Sequence, residues 1–246
     1  MTGPLLIHGP DNADWDISWE QLFVQDWVHE NAFQAFVHEL HPPLPTSESI
    51  LLGGVGEYTA STIQTAHFSL QANEYPLVGK FRDGDSEVGS TFWKTVLKSR
   101  RVLIRLINTS SDEHFVFSTD NHNLKVISAD FVPIEPYTTE YLSIAINNYW
   151  IRTVPVKSCS SNYTEFDNRT GILHYENSPE AQKPKTSAQL SINFTCEDEP
   201  LESLKPVVRW EIGSSPANNI TESTYEVGLQ ESRGALRWVI GRSPLL

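Results

Sequence analysis

The feature that most constrains this chain is a succession of short apolar runs, each closed by Asn, Asp, Ser or Pro. They cover residues 4–8, 21–25, 91–97, 101–107, 114–118, 123–129, 141–146, 149–154 and 171–175, with later ones at 207–212 and 235–240. Each is too short for a packed helix, and most are rich in Val, Ile, Phe and Tyr, which suit a pleated, half-buried surface. Many short strands at this spacing predict an all-β sandwich or barrel. Hydrophobic residues make up 39% of the 246 positions, enough to fill such a core.

One helix is expected. Phe33, Phe36, Val37 and Leu40 fall at i, i+3, i+4 and i+7, and Pro42 and Pro43 end the pattern. Asp26 closes an apolar run just before Trp27, and from its place it reads as the cap of this helix. Its other reading is a pocket carboxylate beside an aromatic wall. Gly53, Gly54 and Gly56 lack the Lys and Ser/Thr of a phosphate loop and are expected to form a tight turn. Residues 178–187 (SPEAQKPKTS) read as a polar surface loop, and 197–206, acidic and then proline-bearing, as a linker.

The net charge of −13 argues against a nucleic-acid partner, whose phosphates require Lys and Arg, and against an anionic membrane surface. No apolar run is long enough to span a bilayer. Residues 1–10 lack the basic start, long apolar stretch and small-residue cleavage site of a signal peptide. The body reads differently. Asn108, Asn162, Asn168, Asn193 and Asn219 all stand in N-x-S/T sequons. Three of these lie between the only two cysteines, Cys159 and Cys196. That arrangement suggests one disulfide in an oxidising compartment, with two buried thiols as the alternative. A start codon placed inside a longer gene would reconcile a secreted-type body with a leaderless beginning.

A metal site needs several ligands converging on one point. The histidines are 8, 29, 38, 41, 67, 114, 122 and 174. His38 and His41 can share a helix face for zinc, but His29 falls about half a turn off it. A blue-copper site needs a Cys with two His and usually an axial Met. Neither cysteine has a neighbouring His, and the only Met is Met1. No G-x-S-x-G, Walker loop or G-x-G-x-x-G occurs. Asp26 and Glu30 could form a hydrolase pair, but i, i+4 carboxylates near a helix start usually face solvent.

Several blocks, taken in order, resemble the ascomycete branch of the laccase-type multicopper oxidases. TGPLLIHGP (2–10) is similar to the strand that closes that family's first cupredoxin domain. DWVH (26–29) is similar to the D-W-Y-H motif that begins the second. LLGGVG (51–56) resembles the L-I-N-G-x-G turn, with Gly53 in place of Asn. RLINTS (105–110), His114-Phe115 and VISADFVPIEP (126–136) form the longest match, followed by NYWIR (148–152). Trp238 and the final Leu245-Leu246 resemble entry into a third domain.

The resemblance implies a cupredoxin-like Greek-key sandwich or barrel with a short helix, flanked by fragments of two neighbouring cupredoxin domains. Residues 1–16 would end the first domain, 17–200 form the second, and 201–246 serve as linker and open the third. It implies a copper-dependent enzyme that oxidises phenolic donors and reduces O2 to water. The family's His-x-His and His-Cys-His copper motifs have no match here, so this chain is expected to ligate no copper and to be inactive alone. Asp26 matches the carboxylate that lines the donor pocket and accepts the phenol's proton, which reverses the capping reading. Cys159 and Cys196 match a disulfide of the second domain, and Asn162, Asn168, Asn193 and Asn219 are the glycosylation candidates. Location is expected to be extracellular. The family's G-Q-R-Y-D strand and turn have no counterpart near 146/147, a deletion expected to bare sheet edges and core. The rival reading is a non-catalytic secreted β-sandwich that binds carbohydrate or protein through its aromatic side chains.

Overall fold

The structure, a computed structural model, describes residues 3–9, 12–28, 31–41, 46–59, 87–111, 113–139, 148–156, 169–176, 178, 183–188, 198–210, 223–232, 234–241 and 243–244. They fall into two compact units. One comprises Met1–Trp27 with Ser47–Val207, and the other Val28–Thr46 with Val208–Leu246.

The first unit is a sandwich of two mixed sheets. In one, β1 (Ile17–Trp27) lies between β2 (Ser49–Leu52), antiparallel to it, and β6 (Val102–Asn108), parallel to it. The other is ordered β5 (Phe92–Val96), β11 (Arg169–Tyr175), β10 (Asn148–Pro155), β7 (Phe115–Thr119). There β11 runs parallel to β5, and β10 antiparallel to both its neighbours. Two separate pairs accompany the sheets: β3 (Glu57–Thr59) with β4 (Glu87–Gly89), and β8 (Leu124–Ala129) with β9 (Val132–Thr139). The parallel pairs join strands far apart in sequence, so the fold closes by crossovers rather than by a meander of hairpins.

The core lies between the sheets. Trp19, Leu22 and Val24 of β1 and Ile50 and Leu52 of β2 face Val96, Tyr149, Ile151, Leu173 and Tyr175. A register shift between Ser18 and Gln21 inserts an extra residue into β1. That bulge is why Trp19 and Leu22, three apart, share one face. Every residue of β10 is buried. Tyr149 and Ile151 point into the core, while Trp150 and Arg152 take the opposite face, following the twofold alternation of a strand. The 183–188 stretch covers that outer face. Trp150 Nε1 donates to the Pro184 carbonyl at 3.1 Å, and Thr186 Oγ1 donates to Asp120 at 2.7 Å. The loop expected to be merely polar surface is thus also the lid of β10.

Turn chemistry follows the sequence. Gly53 and Gly54 have φ of 61° and 79°, and Leu52 and Val55 exchange two backbone hydrogen bonds around them. This is the type I′ geometry that glycine permits. Asp130 and Phe131, at φ 44° and 68°, make the same kind of turn between β8 and β9 without glycine.

The second unit holds α1 (Ala32–Glu39) and the antiparallel sheet β12 (Val227–Ser232), β13 (Ala235–Ile240), β14 (Ser243–Pro244). The Leu236 amide donates to the Leu40 carbonyl, and Trp238 Nε1 to Glu39 at 2.8 Å. The helix cap differs from the one expected. Asn31, not Asp26, accepts from Phe33 N and Gln34 N, and Gln34 reaches back to complete a capping box. Asp26 is still inside β1, paired with Ile50.

One expected strand does not form, and another is irregular over its described part. Residues 4–8 carry no ladder, and Leu5 and Ile7 are 75% and 65% exposed, so nothing rewards an extended pairing there. Residues 207–210 are irregular, and 211–212 lie outside the described residues, as does the expected strand at 141–146 with the 146/147 junction. The supposed linker is tied down instead. Glu135 N donates to the Lys205 carbonyl at 2.7 Å and Val207 N to the Pro133 carbonyl at 2.9 Å, edging β9.

Candidate functional site

The parallel pairing of β1 with β6 decides where Asp26 sits. Val24 aligns with Asn108 at the end of β6, so the chain that follows must cross the end of β1. Thr109 N anchors the crossing on the Val24 carbonyl at 2.8 Å. Two residues later Ser111 meets Asp26. Its amide donates to both carboxylate oxygens, at 3.0 and 3.2 Å, and its hydroxyl lies 3.4–3.5 Å from the same pair.

The loop carrying Ser111 is braced internally. Asn108 Oδ1 accepts from Ser110 N at 2.9 Å, Ser110 Oγ donates to the Glu113 carbonyl at 3.0 Å, and Asn108 Nδ2 donates to that same carbonyl at 3.3 Å. Asp26 is half-buried beside Trp27. A half-buried carboxylate held in place by an N–H donor is the type of group that can serve as a base toward a small acidic ligand. Ser111 and its brace escape a reading of the sequence. Only the fold brings residues 26 and 111 together, and no local motif announces the pair.

Cys159, Cys196, Asn162, Asn168, Asn193, Asn219, His29 and Glu30 lie outside the described residues. Asn108 is described, and its amide is committed to the loop brace. His38 and His41 sit at the end of α1, where His41 Nδ1 is 3.2 Å from the Val37 carbonyl.

Among the described residues, no three His, Cys, Asp or Glu side chains converge as a metal site would need. Two histidines of the first unit, His174 and His122, are engaged elsewhere. His174 Nδ1 is 2.8 Å from Asn148 Oδ1 and 3.2 Å from Ser178 Oγ, with its ring against Trp93. His122 uses both nitrogens, Nδ1 at 2.8 Å from the Asp120 carbonyl and Nε2 at 2.9 Å from the Tyr175 hydroxyl. These side chains do not fit a copper centre.

Burial holds His122 below the ordinary imidazole pKa and pushes Tyr175 above the ordinary phenol value. Beside them Arg152 grips Asp120 at 2.6 and 2.9 Å in a buried two-point ion pair.

The family profile described as multicopper oxidase matches residues 20–178. The laccase of Arthroderma benhamiae is 33% identical over 242 residues, covering 89% of this chain and 34% of that protein. Laccase-2 of Botryotinia fuckeliana is 36% identical over 227 residues, 87% of this chain and 36% of its own length. The crystal structure of the laccase from Botrytis aclada superposes with a TM-score of 0.73 at 32% identity, covering 98% of this chain and 42% of that one. Fet3p, described as a multicopper oxidase, aligns with a TM-score of 0.63 at 14% identity, a likeness of fold alone. The chain thus spans 34–42% of the length of these laccases. Because the profile spans most of the sandwich and fungal laccases follow the chain almost from end to end, this protein belongs to the multicopper oxidase family, among the fungal laccase-like members with a cupredoxin-type fold.

Proposed function

We propose that this chain is the middle of a laccase-type oxidase and contributes the donor-side base without contributing copper ligands. Residues 1–16 would close a first cupredoxin-like domain, 17–200 form the second, and 201–246 lead into the third. Cys159 and Cys196 would be disulfide-bonded, Asn162, Asn168, Asn193 and Asn219 would be glycan acceptors, and the complete protein would be extracellular. Copper is the family's metal, and the described side chains offer it no ligand set, so the chemistry assigned to this chain is a proton transfer.

The observation that carries the reading is Asp26 at the D-W position, half-buried and pinned by Ser111. A phenolic donor becomes far more acidic as it loses an electron, and a base within hydrogen-bond reach takes the proton in the same event. The electron leaves to an acceptor outside this chain, and O2 would be the final oxidant of the complete enzyme. Family membership favours the oxidase reading over the rival carbohydrate- or protein-binding one.

The test places residues 17–200 in an intact fungal laccase in place of its own second domain, with and without Asp26→Asn. Loss of the base is expected to lower phenol oxidation by about 10²-fold or more. Oxidation of ferrocyanide, which releases no proton, should stay within about twofold, since no base assists it. Equal losses for both donors would defeat the assignment.

A further inference from the structure

The cluster around His122 takes no part in the step assigned to Asp26, and its geometry defines a different chemistry. A carbonyl oxygen can only accept, so the 2.8 Å contact between His122 Nδ1 and Asp120 O places the ring proton on Nδ1. Nε2 then carries the free lone pair, and the Tyr175 hydroxyl, 2.9 Å away, must be the donor. Asn121, at φ 57°, makes the turn that lets His122 fold back onto Asp120.

The rings are locked by packing. Tyr175 stacks on His122 with centroids 5.7 Å apart, and Tyr149 meets His122 edge to face at 4.7 Å. Tyr149 and Tyr175 are 1% and 8% exposed. The Asp120 carboxylate is engaged by Arg152 and Thr186, so its carbonyl alone serves His122. The result is a buried phenol hydrogen-bonded to a neutral imidazole whose far side rests on a fixed acceptor.

We propose that Tyr175 and His122 form a redox-active pair that holds one oxidising equivalent inside the sandwich. A high-potential one-electron metal oxidant removes an electron from the Tyr175 ring. The Tyr175 O–H bond breaks, its proton moves to Nε2 and an N–H bond forms there, leaving a neutral phenoxyl radical and an imidazolium. Return of one electron sends the proton back and restores the starting pair. The base makes the oxidation feasible because it avoids a strongly acidic phenol radical cation. The Asp120 carbonyl continues to accept from Nδ1–H and supports the new positive charge. Burial keeps the radical from meeting another radical. This proposal rests on residues separate from Asp26 and stands or falls independently of the donor-site reading.

The experiment uses the full 246-residue chain and flash-generated tris(bipyridine)ruthenium(III), with transient absorption and electron paramagnetic resonance as readouts. A tyrosyl radical is expected that decays about tenfold more slowly than one on an exposed residue such as Tyr225, since burial limits its encounters. Tyr175→Phe should remove that slow component. His122→Gln retains a hydrogen-bond acceptor but not a base, and should cut its yield about tenfold. A slow radical that persists in folded Tyr175→Phe, or at full yield in folded His122→Gln, overturns the proposal. Should near-ultraviolet circular dichroism show either variant unfolded, the wild-type chain decides. Radical formation should slow about twofold in D2O if the proton moves with the electron, and the absence of an isotope effect overturns the proposal equally.

Discussion

Two residues of the first unit, His122 and Tyr175, make its stability depend on pH in opposite directions. His122 must be neutral to accept from Tyr175, and burial lowers its pKa from the ordinary 6.5. The unfolded chain therefore binds this proton more readily, and stability is lost as pH falls below about 6.5 until the folded value is passed. Tyr175 works in the opposite direction. Burial raises it above 10, so its contribution is lost as pH rises through and beyond the unfolded value. Chemical-denaturation midpoints measured across pH should form a plateau with two shoulders, and His122→Gln should flatten the acid one. An unchanged acid shoulder would assign it to other groups. Nearby, Asp120→Ala removes the carboxylate that pairs at two points with the buried Arg152 guanidinium. A loss of about 3–5 kcal/mol in unfolding free energy is expected, the scale for breaking a buried ion pair from one side. A loss under about 1 kcal/mol, the scale of exposed pairs, would mean that water reaches Arg152.

At the level of elements, the β8–β9 hairpin stands out for its turn. Asp130 and Phe131 both hold left-handed backbone, and Phe131 is 77% exposed, so its ring gains little packing in return. Left-handed backbone costs an L-residue about 1–2 kcal/mol, part of which glycine returns as unfolded-state entropy. Phe131→Gly is therefore expected to stabilise the chain by about 0.5–1 kcal/mol, read as a higher denaturation midpoint. A lower midpoint would reveal a contact for the ring. The same hairpin shows what the sequence hides. β8 is visible in its branched, alternating residues, but β9 carries Pro133 and Pro136, which read as breakers although a strand outside the main sheets tolerates them. β2 is only four residues, and β12 (VGLQES) is too polar to register. The 4–8 run misleads in the other direction, because apolar residues alone do not make a strand without a partner. The helix was legible in its apolar spacing, but its cap was not, since Asp26 and Asn31 are equally good caps until the end of β1 is known. The site was half legible. Asp26 emerged from a short motif, whereas Ser111 and the Tyr175–His122 pair are joined only through the packing of distant strands.

For the molecule as a whole, the separation of donor-side base from copper ligands yields a direct expectation. The purified 246-residue chain, loaded with copper and dialysed, should retain no stoichiometric metal by elemental analysis and should not oxidise a phenolic dye in air. Stoichiometric copper together with dye turnover would refute the division of labour proposed here. The second unit carries a consequence of another kind. It is assembled from two stretches of chain, and the bond from Trp238 to Glu39 closes across 199 residues. A ribosome delivers α1 long before β13 exists. Throughout that interval Glu39 and the Leu40 carbonyl lack Trp238 and the Leu236 amide, their partners on β13, and a contact so remote in sequence forms slowly. Nascent chains paused between these two stretches should therefore be the ones that chaperones hold longest.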